Sequence, residues 1–575
     1  MVSAYRVDSL KNPTLALQDF HKECSSEQID SFPRLVSEHY SQVFGAPDAF
    51  NEIPTLDIHN PPDTFPDRAL VRFRAMVQDT STSSEMYLSK SRSGACGGWA
   101  IEFTDEEDGH VDFADLRECT VLWAVSIPAE SAWCAKELDG PVDHQERVIP
   151  SSSRIPYKPQ HSHKYPHPSV SHLGVQVKIY DAESFEKLKT TDLVTFVGIL
   201  TNDLLSSGLD AAVDVPTLHV LFVQQHPHNL LSRPYPSFEK AESSHPDVSV
   251  DRRIERATAG PNLSEVRSQL IDWIAEEALD GDRDAAEWVL LACIARVQSR
   301  NPPLLPPSLN LAHFPSSPPV PSTNAGPVVP IPTLSVVLAE LLTLTHTLPL
   351  SLPLLNKDPF APESKDEDLH SGALQLPQGT VLLVTEDGIQ EGRLVDRGVL
   401  NVRALQEVMT TQTLSYAFPF SAFSFPTDIA CIILSEGSKS AFFKASFHSC
   451  TDINIPLRAA KSPQAVAKLY KPAESITMPD PERLAAFRDL IAGARSGRVQ
   501  VNEETSEHIQ QDFVRERQQN QSVTSDDLIR RMTVAKLYAL SMHETTLSID
   551  VWELTKAFDE RRRGACASNT AEAKS

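Results

Sequence analysis

The feature that most constrains the fold is a pair of apolar runs, each followed directly by polar residues. The first run, Val381–Val384, leads into Thr385-Glu386-Asp387, and the second, Ile429–Leu434, leads into Ser435-Glu436-Gly437. Between them, the spacing of apolar residues predicts a helix over 399–412. Two buried strands separated by a helix predict a parallel sheet, in which functional groups collect at the carboxyl ends of the strands. Nucleotide hydrolases of the P-loop type hold their metal and water at such an edge.

Length and charge limit the class of protein. A chain of 575 residues is too long for one hydrophobic core, so we expect several domains. The formal net charge is −25, whereas sequence-independent duplex binding needs a basic face that releases counterions. Direct nucleic-acid binding is therefore disfavoured, and the expected partner is another protein.

Cysteine usage and one long apolar stretch indicate the compartment. The eight cysteines include no Cys-x-x-Cys pair, which argues against a disulfide framework or a zinc site and predicts a reducing intracellular compartment. The N-terminus lacks an apolar signal core. The stretch Val328–Leu355 contains four prolines, Glu340 and His346. It predicts a buried helix over Thr333–His346 rather than a membrane span, and a soluble protein.

Alternation of apolar and polar residues predicts a barrel after a helical N-terminal region. Residues 1–64 have helical spacing, and Leu70–Asp79 then alternates. We predict an OB-like β-barrel over 65–225, interrupted by insertions at 81–98 and 143–171. Its other candidate strands are Trp99–Phe103, Cys119–Ile127, Val175–Tyr180, Leu193–Leu200 and Leu218–Val223.

Two groups of polar residues in this region are candidate binding sites. The second insertion and its border contain His161, His163, His167 and His172, but no nearby cysteine or carboxylate completes a metal-ligand set, so a solvated loop is the preferred interpretation. Arg72 and Arg74 lie opposite the apolar face of their strand, where barrels of this type bind single strands. The acidic run 105–108 works against that use.

The C-terminal end predicts a pair of short helices. Thr524-Ser-Asp-Asp527 has the spacing of a capping box, and Ser548 is placed to cap the second helix. Arg561-Arg-Arg563 is interpreted as complementing the dipole at that helix's end, with a weak nuclear-import patch as the alternative.

Several stretches in order along the chain resemble the MCM-binding protein family, whose members are partners of the replicative MCM helicase. The resemblance covers most of the chain, and the proline-rich insertions depart from it. The matching stretches are Leu70–Asp79, Gly281–Leu291, Leu376–Val384 and Phe425–Gly437.

The family is itself similar to MCM subunits, and this implies an architecture. Val384-Thr-Glu-Asp387 lies where a subunit carries its Walker B acidic pair, and Arg403–Ser415 resembles the helix and hairpin entry that follow. The resemblance implies a multi-domain α/β plus β-barrel protein. Its OB-like barrel would be followed by a degenerate AAA+-like parallel-sheet domain over 250–470, with a proline-rich connector at 301–332, and by a C-terminal helical lid over 521–563.

The parts needed for ATP hydrolysis are missing or altered. The sequence contains no Gly-x-x-x-x-Gly-Lys-Ser/Thr phosphate loop, and the expected place offers Pro315-Ser-Ser-Pro-Pro319. Proline removes the backbone donors that such a loop requires. Gly437-Ser-Lys-Ser440 follows a strand but lacks the leading glycine. Ser435 replaces the sensor asparagine of the helicase subunits, and no Ser-Arg-Phe-Asp finger motif follows.

We therefore predict a non-enzyme with no catalytic, cofactor-binding or metal-ligating residues and no cofactor. The resemblance implies a nuclear adaptor or chaperone that binds MCM helicase subunits. It would support helicase assembly, stability or unloading from chromatin during DNA replication and cohesion, and would touch chromatin only indirectly. The alternatives are an active or nucleotide-sensing ATPase, for which Glu386 and Asp387 would matter, and a single-stranded DNA-binding module.

Overall fold

A computed structural model gives the fold of the chain. The residues that it describes are 2–24, 31–82, 84–91, 95–101, 113–139, 161–205, 213–226, 230–231, 233–235, 262–318, 330–365, 368–386, 392–443, 452–458 and 463–572. Mixed α/β architecture is confirmed, with a mostly antiparallel barrel, a parallel sheet and surrounding helices.

Five strands of the N-terminal half close into a barrel. β1 pairs with both β3 and β5, and the circuit is completed by the antiparallel pairs β3–β4 and β5–β6 and the parallel pair β4–β6. The short β2 extends the sheet beside β3. The strands are β1 (Leu70–Asp79), β2 (Glu85–Leu88), β3 (Leu116–Ser126), β4 (Gly174–Ile179), β5 (Leu193–Leu205) and β6 (Val213–Gln225).

In the described part of residues 2–51, four helices cover one face of the barrel. Apolar residues of the helices within residues 2–51 join a core with β5 and β6 that is built around Trp99. The predicted strand Trp99–Phe103 is wrong over residues 99–101, where the chain makes a turn and Trp99 has φ +48°. The turn lets the buried indole N–H donate to the Val220 carbonyl at 2.8 Å. The helices are α1 (Val2–Lys11), α2 (Pro13–Glu23), α3 (Phe32–Val43), α4 (Pro47–Asn51), α5 (Ala132–Asp139) and α6 (Ala182–Glu186).

The predicted parallel sheet is confirmed. Its five strands are all parallel, in the order β10-β13-β16-β9-β17. Every residue of β13 and β16 is buried, because helices pack on both faces of the sheet. After two short paired segments, β7 (Ser299–Arg300) and β8 (Pro303–Leu304), the strands are β9 (Leu309–Ala312), β10 (Thr345–Pro349), β13 (Thr380–Thr385), β16 (Ile429–Ser435) and β17 (Ile453–Pro456).

A second, four-stranded sheet stands beside the parallel one. Its order is β12-β11-β14-β15, and the antiparallel hairpin β14–β15 directly follows the helix between β13 and β16. Its strands are β11 (Glu363–Lys365), β12 (Asp368–His370), β14 (Thr413–Phe418) and β15 (Ser421–Pro426).

The remaining helices enclose the parallel sheet. Residues of the C-terminal helices share one core cluster with β9, β13 and β16, including Phe487, Leu537 and Phe558. Two short strands, β18 (Gln500–Val501) and β19 (Thr546–Leu547), pair near them. The helices are α7 (Leu263–Ala278), α8 (Arg283–Ile294), α9 (Thr333–Leu341), α10 (Leu352–Lys357), α11 (Asp396–Thr411), α12 (Pro463–Leu469), α13 (Pro481–Ser496), α14 (Glu503–Gln519), α15 (Ser525–Ser541) and α16 (Ile549–Glu572).

Two helix predictions are wrong in extent. The helix predicted over Thr333–His346 ends at Leu341, and Thr345–Pro349 is a strand, because a continuous apolar run fits a buried strand as well as a buried helix. α16 continues to Glu572, so Arg561–Arg563 does not lie at a helix end. Arg562 and Arg563 pair instead with Asp559. The capping box at Thr524 is confirmed, as is the Ser548 cap, whose hydroxyl accepts the Val551 N–H at 3.2 Å.

A buried polar joint fixes the barrel against the parallel-sheet half. The Gln375 side-chain amide donates to the backbone carbonyl of Gln78 at 2.8 Å, and Gln78 donates to the Leu369 carbonyl at 3.3 Å. Both glutamines are fully buried. Gln375 also accepts from Ser371 at 2.6 Å and donates to Tyr416. Since buried amides are costly to leave unpaired, the two halves are held in one register.

Histidines from both halves stack at the same boundary. His167 lies in the second barrel insertion and His346 lies on β10, with ring centroids 3.8 Å apart. Desolvation lowers the pKa of His167 to about 4 and that of His346 to about 3. Both rings are therefore neutral at physiological pH.

We predict that acid weakens the fold through this stack. The unfolded chain takes up a proton on each histidine near pH 6.5, whereas the folded chain resists until about pH 4 for His167 and about pH 3 for His346. The free energy of unfolding should therefore fall as pH drops from 6.5 toward 4, by up to about 1.4 kcal/mol per pH unit for each histidine. Denaturant unfolding at several pH values measures this slope. His346→Gln should make it shallower, and an unchanged slope in this variant contradicts the prediction.

Arg495 ties α13 to both neighbouring layers. It is buried, and its guanidinium donates to the carbonyls of Cys293 on α8 and Gly379 before β13, at 2.6 and 2.5 Å. Gly379 has φ +88°, which glycine adopts without strain. Desolvation lowers the pKa of Arg495, and the Asp428 charge opposes that shift.

Arg495→Met is expected to destabilise the parallel-sheet half. It leaves two buried carbonyls without these donors and removes the charge near Asp428, a loss of about 2–5 kcal/mol. The midpoint of urea unfolding measures it. Arg498→Met is the matched control, because Arg498 is exposed on the same segment and should change stability by less than about 0.5 kcal/mol. Equal effects of the two substitutions would disprove the assigned role of Arg495.

Candidate functional site

The carboxyl edge of the parallel sheet, where nucleotide chemistry was considered, is filled by the chain's own loop. Glu386 follows β13 and is 3% exposed. Its carboxylate accepts a short hydrogen bond from the Ser440 hydroxyl and a second from the Ala441 backbone N–H at 2.9 Å. Ser440 in turn accepts the Phe443 N–H at 3.2 Å. The acid that resembles a Walker B residue thus holds the loop after β16.

The other residues considered at this edge are also bound within the fold. The Gly437 carbonyl accepts from the His313 N–H at 3.1 Å, and the Ser435 carbonyl accepts from the Phe314 N–H at 2.9 Å. Ser435 is fully buried. The Pro315 carbonyl, where a phosphate loop would begin, accepts from the Tyr470 hydroxyl at 2.9 Å. These bonds join the ends of β9 and β16 to each other and to neighbouring helices.

Two of the sequence candidates lie outside the described residues. Asp387 is one of them, so only Glu386 of the acidic pair has a described position. The acidic run at 105–108 is likewise outside.

The hairpin β14–β15 presents an apolar surface that the sequence reasoning did not identify. Phe420 at its tip is fully exposed, and Phe423 on β15 is 56% exposed. β15 is an edge strand with five of its six residues exposed. It contains no charged residue and pairs with β14 without a bulge. Edge strands usually carry charges or bulges that prevent pairing with other chains.

The first turns of α11 lie at the same end of this sheet. Ala417 on β14 pairs with Glu363, and Glu363 forms an ion pair with Arg397 at 3.2 Å. The hairpin tip is therefore near the start of α11. We call the large exposed apolar residues here the apolar end; they are Val395, Val399, Leu400, Phe420 and Phe423.

The apolar end could have been suspected from the sequence. Phe418-Pro-Phe-Ser-Ala-Phe423 has no charge and is rich in aromatics, and contiguous apolar surface of this kind marks protein interaction sites. Whether these aromatics face solvent depends on the neighbouring strands, which come from distant parts of the chain.

The arginines considered for nucleic-acid binding are engaged inside the protein. Arg72 is buried and donates to Thr55 and Asn51 at 3.0 and 3.1 Å. Arg74 forms an ion pair with Glu130 at 3.0 Å, and both side chains are less than 15% exposed.

The four histidines are placed in three different settings. His172 stacks on Tyr165 and contacts the Val170 carbonyl at 2.7 Å, and His167 stacks on His346. His161 and His163 instead come together with Asp368 of β12, their ligand-type atoms all lying within 4.8 Å of one another. The carboxylate absent from the local sequence is supplied from 205 residues away.

Comparison with known proteins identifies the family. The model of the mini-chromosome maintenance replisome factor family matches residues 40–160 and 143–566. The chain belongs to this family. Relatives named mini-chromosome maintenance complex-binding protein include those of Salmo salar, 27% identical over 86% of this chain and 88% of the relative, and Arabidopsis thaliana, 26% identical over 92% and 93%. The relative from Danio rerio is 25% identical over 96% and 97%.

Within the described ranges, no helix combines the length and apolar character that crossing a bilayer requires.

We predict that Glu386→Ala lowers stability rather than any nucleotide turnover. The substitution removes the acceptor for the buried Ser440 hydroxyl and the Ala441 N–H, and each unsatisfied buried group costs about 1–3 kcal/mol. Replacing an acidic residue that serves catalysis, by contrast, commonly raises the stability of the fold. Urea unfolding and phosphate release from ATP are the two measurements. The exposed Glu436→Ala is the control; ATP hydrolysis that disappears only in the Glu386 variant would refute this assignment.

Proposed function

We propose that the protein is a non-enzymatic nuclear adaptor that binds MCM helicase subunits and supports their assembly, stability or unloading from chromatin during replication. The observation that carries this proposal is family membership along nearly the whole chain, with relatives named as MCM complex-binding proteins. The proposal needs no bound nucleotide, metal or nucleic acid.

Features of the fold support a subunit-like architecture. Numbered within the parallel sheet, the strand order is 5-1-4-3-2, which is the order of AAA+ domains. The barrel closes through five strands with one parallel pair, as an OB-type barrel would. We propose that these parts, with the C-terminal helices as a lid, let the protein occupy a position like that of a subunit against its neighbours.

Two observations favour a binding role over ATP hydrolysis. The sequence has no phosphate-loop motif, and the Glu386 carboxylate holds Ser440 and Ala441. Affinity would then come from a protein interface of ordinary size, on the order of 1,200–2,000 Å² of buried surface.

We propose that the apolar end is part of this interface. Its aromatics are exposed on a paired hairpin, and aromatic anchors of this type carry much of the binding energy in protein interfaces. The edge strand β15 can also accept a strand from the partner.

Binding of recombinant full-length protein to MCM subunits tests both levels of the proposal. Immobilised wild-type chain should retain MCM subunits from a nuclear extract and bind purified subcomplexes. Phe420→Ser with Phe423→Ser should weaken binding at least tenfold, because a lost hot spot costs about 2 kcal/mol or more. Phe113→Ser, at another exposed phenylalanine, is the matched control and should bind as wild type. Absence of MCM subunits in the wild-type fraction overturns the function; equal binding by all variants overturns only the location.

A further inference from the structure

The cluster at the boundary between barrel and parallel-sheet half has the composition of a metal site. A short 3-10 turn, Ser162–Lys164, places His161 and His163 on one side, and β12 contributes Asp368. The three donor atoms lie within 4.8 Å of one another. The backbone supports this placement, because the Ser371 N–H donates to the His163 carbonyl at 2.8 Å.

One oxygen of Asp368 is anchored while the other faces the histidines. Oδ1 forms a close ion pair with Lys164, which also contacts Asp79 at 3.2 Å. Lys164 and Asp79 are almost completely buried. Oδ2 lies 2.7 Å from Nε2 of His163. Metal-binding carboxylates are commonly fixed in this way by a second partner.

His161 offers a buried ring nitrogen as a metal ligand. Its Nε2 is buried and has no hydrogen-bond partner among the residues that the structure describes, and a buried polar atom without a partner is unfavourable. The ring is held edge-on to Trp123, with centroids 5.0 Å apart. Desolvation is the main cause that lowers the pKa of His161, which favours the neutral ring that a metal requires.

Distances and charge suit a divalent cation. Ligands of a tetrahedral zinc ion lie roughly 3.3 Å apart, given bonds of about 2.0–2.1 Å. The donors here are between 2.7 and 4.8 Å apart, so small side-chain rotations can bring them to that spacing. Lys164, Asp79 and Asp368 together carry one formal negative charge, which attracts a cation.

We propose that His161, His163 and Asp368 bind one zinc ion, or a similar transition-metal ion, which ties the barrel insertion to β12. Two imidazoles and a carboxylate form a donor set that zinc prefers, and three protein ligands leave a fourth position for water. The ion would act as a clamp between the halves, next to the joint of Gln78 and Gln375. This site does not depend on the proposed partner.

Metal titration of the full-length protein tests the proposal. After chelator treatment and dialysis, calorimetric titration with zinc chloride at neutral pH should show one equivalent bound per chain and a higher unfolding temperature. His161→Ala should reduce affinity at least tenfold with little effect on the metal-free fold, since it removes a side chain whose Nε2 makes no hydrogen bond. Asp368→Asn should also reduce affinity at least tenfold, and because it weakens the ion pair with the buried Lys164 it should lower the stability of the metal-free fold as well.

His508→Ala is the matched control. His508 pairs with Glu553 at 3.1 Å, and in the described part of the chain no third metal-ligand side chain joins this histidine–carboxylate pair. It should bind zinc as wild type does. Cobalt substitution separates this site from binding at cysteine, because thiolate ligands give an intense ultraviolet charge-transfer band that two histidines and a carboxylate do not. No stoichiometric zinc, zinc binding that persists in both site variants, or a thiolate band would overturn the proposal.

Discussion

The buried pair Gln78 and Gln375 is the interaction on which the arrangement of the two halves depends. Each amide reaches across nearly 300 residues of sequence to a partner on the other half. Apolar packing alone would tolerate sliding, but a buried amide is satisfied in only one register. The stacked histidines at 167 and 346 and the group of His161, His163 and Asp368 all lie along the boundary that this joint sets.

Two regions of the parallel-sheet half have different roles. At the carboxyl edge of the parallel sheet, the Glu386 carboxylate binds Ser440 and Ala441 in the loop after β16, so this edge contributes stability. The neighbouring antiparallel sheet keeps its aromatics outside. A fold that binds its own loop at the sheet edge and exposes an apolar hairpin is suited to recognition by surface, where affinity depends on a few anchoring side chains.

Local sequence patterns predicted the local structure. The runs at 381–384 and 429–434 became neighbouring buried strands, and the Thr524 capping box formed as its spacing required. Prediction failed where distant residues decide. Thr345–Pro349 is a strand because β13 lies beside it, Trp99 turns inward to reach Val220, and the carboxylate near His163 comes from β12. The exposure of Phe420 could not be predicted for the same reason, because no residue near it in the sequence indicates which strands surround the hairpin.

The uncharged edge of β15 also has a consequence for the isolated chain. Its unpaired peptide groups and flanking phenylalanines can accept a strand from any extended segment, including one from a second copy. Strand addition between copies grows with concentration, so an uncovered β15 edge is a template for aggregation.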